Sequence, residues 1–157
     1  MRRLAPALAL AAALGGCGGS APAPVAARPA TDPGFVSSGA HELRYGTVPT
    51  AALPREVLVT YGIQPRAGVM LLGVSVLRGG GDGPPVAVGA ALSGSLRTLA
   101  GEPRPLAFRE IVAGGSVSWI TELAPSAPGI VTIAIEALPA DGGPRLAATF
   151  TRDFPPR

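Results

Sequence analysis

The sequence predicts an all-β domain, a two-sheet antiparallel sandwich of about seven strands with one short helix after the first strand. Three observations predict it. Glycine (22) and proline (18) stand well above ordinary usage, so turn-formers punctuate the chain throughout. The runs between them are short, and several alternate apolar and polar residues, the period of a half-buried strand. In the second half breakers are many and strong helix formers few, which favours short strands joined by turns.

Taken in order, HELRYGTV (41–48) alternates weakly and predicts the first strand. PREVLVTY (54–61) opens on proline and is followed by Gly62, the start and stop punctuation of a short helix. GVMLLGVSVLR (68–78) is apolar on both faces, as a central strand is. GGGDGPP (79–85) is a turn, and VAVGAALSGSLR (86–97) is a strand rich in small residues. In RPLAFREIV (104–112), Leu106 and Phe108 share one face while Ala107 and Arg109 share the other. SVSWITEL (116–123) sets Val117, Trp119 and Thr121 against Ser118, Ile120 and Glu122. GIVTIAIEAL (129–138) turns Val131, Ile133 and Ile135 to a core, and in 144–154 Leu146, Ala148 and Phe150 do the same. Turn-linked neighbours imply antiparallel pairing and an immunoglobulin-like sandwich, with a small closed barrel as the competing architecture.

Residues 1–39 read differently. Arg2 and Arg3 precede an apolar stretch, Leu4–Leu14, too short for a bilayer crossing of about 20 residues but suited to a signal peptide. It ends in Leu14-Gly15-Gly16-Cys17, which resembles the lipobox of bacterial lipoproteins. The chain's single cysteine stands where that motif needs its acylated thiol, and one cysteine cannot form an internal disulfide. The sequence therefore predicts a lipoprotein signal peptide over 1–16, and lipidation of Cys17 with two or three acyl chains, palmitate among them. Each buried methylene contributes about 0.8 kcal/mol, so such an anchor holds firmly. Gly18, where aspartate would favour inner-membrane retention, points to the outer membrane. Residues 17–39 are rich in Ala, Pro, Gly and Ser without periodicity, the composition of a flexible tether. The competing reading is that the tether packs on the domain as an extra edge segment, with Phe35 and Val36 the candidate contacts. The folded domain is expected over 40–157.

The net charge is +3 and the pI about 10. All 13 basic residues are arginine, with no lysine and no asparagine, a bias of GC-rich coding. The arginines are scattered among carboxylates, whereas a phosphate-tracking surface needs clustering, so nucleic acid is not an expected partner.

The order LRYGTVPT, PREVLVTYGI, GVSVL and PLAFREIVAGGSVSWITEL resembles DUF4426, a family of small Gram-negative envelope proteins of unknown function. The likeness runs from Ala40 to Phe154 and includes Tyr45, the Tyr61-Gly62-Ile63 helix end, Val74-Ser75-Val76 and Phe108-Arg109-Glu110-Ile111. It departs at Gly73, where asparagine is expected, and at Trp119, where tyrosine is usual. The resemblance implies a periplasmic β-sandwich and brings no activity with it.

No catalytic constellation is legible. His41 is the only histidine, and it reads as a solvent-facing residue near the tether, a poor place for a base. Metal ligands are too few: one histidine, two methionines, and aspartates 82, 141 and 153 isolated in turns or the tail. No cofactor or metal is expected. Tyr45, Tyr61, Arg109, Glu110 and Glu122 form the candidate binding patch. Alternation sends Arg109 and Glu110 to opposite faces, and a Glu110 that follows Phe108 inward needs a partner such as Arg66, Arg97 or Tyr45. The functional expectation is a non-catalytic, outer-membrane-anchored periplasmic lipoprotein. It would meet another envelope protein through an exposed strand edge. The alternative is a small-ligand or glycan-binding module, and enzymatic activity ranks last.

Overall fold

The computed structural model describes residues 34–80 and 83–154. It holds ten strands: β1 (Gly34–Ser38), β2 (His41–Pro49), β3 (Met70–Arg78), β4 (Val86–Ala87), β5 (Ala90–Thr98), β6 (Arg104–Pro105), β7 (Arg109–Ala113), β8 (Ser116–Leu123), β9 (Gly129–Pro139) and β10 (Leu146–Phe154). A 3-10 turn (Thr50–Ala52) and one helix, α1 (Arg55–Tyr61), lie between β2 and β3. One sheet runs β1-β2-β3-β8-β7 with β4 beside β3, and the other runs β10-β9-β5-β6. Every pairing is antiparallel. The all-β sandwich with a short helix after the first predicted strand is the architecture observed.

The core is built by the alternation read from the sequence. Leu43, Leu72, Val74, Val76, Trp119 and Leu123 of the first sheet pack against Leu96, Val131, Ile133, Ile135, Leu146 and Ala148 of the second. Burying each large aliphatic side chain contributes about 1.5–3 kcal/mol. β3 is apolar on its other face too, because α1 covers that side. Leu71 and Ile120 join Ile63 there in a second cluster, closed by Leu53, Leu58 and Tyr61. The helix ends at Gly62, whose φ of 61° is the left-handed conformation glycine tolerates best. The N–H groups of Gly62 and Ile63 donate back to the carbonyls of Val59 and Leu58. That cap carries Ile63 into the second cluster, where it meets Leu58.

Three boundaries move. The tether does not extend through residue 39: Gly34–Ser38 is an edge strand paired with β2, because Val36 shares a face with buried Leu43 and Gly34 leaves room for the Tyr45 ring. The run 86–97 splits into β4 on the first sheet and β5 on the second, crossing at Val88 and Gly89. The run 104–112 splits the same way into β6 and β7. Leu106 and Phe108 drop into the core as the chain crosses, so one alternating segment serves two sheets. The count of about seven therefore becomes ten.

Candidate functional site

Strand alternation, the helix cap and one buried threonine assemble a polar site on the outer face of the first sheet. Arg109 and Ile120 are opposite each other across β7 and β8, and Glu122 lies one pleat further along β8 on the same face. The Arg109 guanidinium donates to the carbonyl of Tyr61, the last residue of α1, where a cation also meets the negative end of the helix. Glu122 is ion-paired with Arg66 from the loop between α1 and β3. Thr50 holds that loop. Its hydroxyl is fully buried, lies 3.1 Å from the Arg66 carbonyl and 3.2 Å from the Val69 carbonyl, and accepts from the Arg66 N–H at 3.0 Å. Between these groups is a cavity of about 120 Å³ with Ile63, Leu71 and Ile120 as its floor. Ala107, Arg109 and Glu122 form its walls.

The structure brings together three of the five patch residues, Tyr61, Arg109 and Glu122. Tyr61 contributes its carbonyl, while its ring packs on the second cluster. Tyr45 is elsewhere: it faces the sandwich interior and stacks on Phe150 with ring centroids 4.5 Å apart. A Cβ on Gly34 would lie 2.3 Å from its ring, so glycine is what admits it. Glu110 is opposite Trp119, hence on the inner side of β7, but β7 is an edge and the carboxylate stays exposed. It has no hydrogen bond or ion pair among the described residues, and the Arg66 suggested for it is taken by Glu122. Cys17 lies outside the described residues.

A second polar cluster was missed from the sequence. His41 is buried rather than solvent-facing, at 8% exposure. Its Nε2 lies 2.9 and 3.1 Å from the two carboxylate oxygens of Asp141, which is in the turn between β9 and β10. Arg78 of β3 donates to the same carboxylate at 3.0 Å, and the Gly143 N–H donates at 3.3 Å. Asp141 is therefore not an isolated turn residue but a clamp joining both sheets at one end. These donors, the His41 ring foremost, hold its carboxyl below the usual range. The signal was the Asp-Gly-Gly turn, since a Cβ on Gly143 would lie 2.5 Å from the His41 ring.

Among the described residues no serine or threonine hydroxyl is hydrogen-bonded to the His41 ring, and no group of three His, Cys, Asp or Glu stands together. The outer-face site sets a guanidinium and a carboxylate beside the apolar side chains of Ile63, Leu71 and Ile120.

A family model described as a domain of unknown function, DUF4426, matches residues 36–156. The crystal structure of a DUF4426 family protein from Pseudomonas aeruginosa is similar, with a TM-score of 0.64 and 21% identity, over 80% of this chain and 97% of that one. FetP from uropathogenic Escherichia coli, expressed recombinantly in the periplasm, is similar with a TM-score of 0.53 and 14% identity over 78% and 93%. A copper-bound variant of FetP gives a TM-score of 0.52 and 13% identity over 78% and 94%. No curated protein matches the chain. At these identities the likeness to solved structures is one of fold.

Proposed function

The chain belongs to the DUF4426 family, and on that premise we propose that it is a non-catalytic periplasmic lipoprotein whose sandwich is a protein-interaction module. The observation that best supports this reading is the open edge of the first sheet. Arg109–Ala113 of β7 pairs with β8 alone among the described residues. Its outer backbone groups are therefore available to a partner strand, and Val112 is 70% exposed beside them. The lipobox resemblance around Cys17 supports export and acylation, Gly18 supports the outer membrane, and FetP, a fold neighbour, was expressed in the periplasm.

Copper, to which the FetP variant is bound, finds no histidine–methionine donor pair among the described residues. His41 pairs with Arg78 at one end of β3 and Met70 pairs with Pro49 at the other, eight positions apart. At about 3.3 Å per residue they are about 26 Å from each other, and a soft-metal site needs both within bonding distance. The small-ligand or glycan alternative has less support than the interaction module. Tyr45 packs against the core and the Tyr61 ring against the helix cluster, which leaves no aromatic platform beside Arg109 among the described residues.

Envelope fractionation with mass spectrometry of the mature N-terminus, followed by crosslinking in intact cells, tests the proposal. The expected result is an acylated Cys17 in the outer-membrane fraction, a Cys17→Ala chain in the soluble fraction, and a reproducible protein crosslink. A wild-type chain that is soluble with a free thiol, or that crosslinks to no protein, overturns it.

A further inference from the structure

Edge strands are usually defended, and the edges of this sandwich differ in how. On β10, Arg152 lies on the inner side, reaches across to the Thr47 hydroxyl at 2.9 Å, sits over the Phe150 ring and donates to the carbonyl of Thr151 at 2.8 Å. An inward charge that is already engaged, and that hydrogen-bonds the strand's own backbone, is a device against pairing. On β7 neither charge meets an opposite charge among the described residues: Arg109 on the outer side donates to the Tyr61 carbonyl, and Glu110 on the inner side has no hydrogen bond or ion pair.

From this pair we infer that β7 receives an extended segment of a different protein, one carrying an acidic residue across from Arg109 and a basic residue across from Glu110. The inference rests on the interaction-module reading and names the partner's chemistry. Successive residues of a strand point to opposite faces, and residues opposite each other across a sheet share one. Adjacent Arg109 and Glu110 therefore ask for adjacent residues of opposite charge in the incoming strand. A second copy of this chain does not supply them. In the antiparallel two-fold pairing that continues a sheet, Arg109 faces a residue of its own parity. Its options are a second Arg109, Ile111 or Ala113, and never Glu110. The register that centres Glu110 sets two carboxylates against each other, which is destabilising. Arg109 also lines the cavity that holds Ile63, Leu71, Ala107 and Ile120, so a small apolar side chain next to the partner's acidic residue matches its lining.

The test is photo-crosslinking in intact cells, with benzoylphenylalanine incorporated in the full chain at Val112 and, separately, at Thr149 on β10. The Val112 probe is expected to label a segment of another protein in which an acidic residue adjoins a basic one. Swapping the charges by Arg109→Glu with Glu110→Arg turns two favourable cross-strand pairs unfavourable and lowers the yield about tenfold. Should the swap unfold the domain, Arg109→Gln with Glu110→Gln lowers it about threefold. A Val112 crosslink to a second copy, to a segment lacking the charge pair, or of unchanged yield in the variants overturns the inference. Crosslinking at Thr149 with none at Val112 overturns it and leaves the interaction module standing. No protein crosslink at either position overturns both.

Discussion

Asp141 shows how one side chain ties the two sheets together. It gathers the His41 ring, the Gly143 N–H and the Arg78 guanidinium, and these outweigh its partial desolvation, so its carboxyl titrates below the ordinary range. A carboxyl depressed in the folded state stabilises the fold above its unfolded value, and the contribution is lost as pH falls through the folded value. Asp141→Asn is expected to lower stability at neutral pH and to converge on the wild type in acid. Denaturant midpoints between pH ~2 and ~7 check this, and a gap of constant size would count against the clamp. Thr50 is the corresponding residue for the outer-face site. Thr50→Val strands the Arg66 N–H and the Val69 loop, at a cost of about 2 kcal/mol. Urea unfolding reads the loss, and amide exchange at Arg66 should accelerate before the core strands do.

At the scale of elements, β7 is decided by its edge position. An interior strand would bury Glu110 opposite Trp119, whereas an edge strand leaves it in solvent, where it opposes pairing with a second copy by setting carboxylate against carboxylate but not pairing with a strand that brings a basic residue. Glu110→Val removes that barrier on a strand that already exposes Val112. Concentration-dependent self-association by analytical ultracentrifugation is the expected outcome, and a variant that stays monomeric at high concentration would show that the glutamate is not the guard. The helix was legible because its signals are local: Pro54 starts it, Gly62 ends it, and Leu58 and Ile63 meet across the cap. The strand splits at Val88 and at Leu106–Phe108 were not legible. Alternation continues through a crossing, so nothing in the local pattern marks a change of sheet.

For the molecule as a whole, Trp119 is the side chain on which the sandwich interior closes, at 5% exposure within the main cluster. Trp119→Ala is expected to cost about 3–5 kcal/mol, read as a fall in the denaturation midpoint. The sequence by itself determined the all-β class, the position of the helix, the inward residues of β8, β9 and β10, and the opposition of Arg109 and Glu110. Each of these follows from period, punctuation or steric preference within a few residues. Only the tertiary structure decided that Tyr45 belongs to the core, that Arg66 answers Glu122, and that His41 and Asp141 meet from positions a hundred residues apart. Those pairings depend on which strands become neighbours, and strand order is fixed by how two sheets best bury their shared faces, a property of the whole chain that no short stretch encodes.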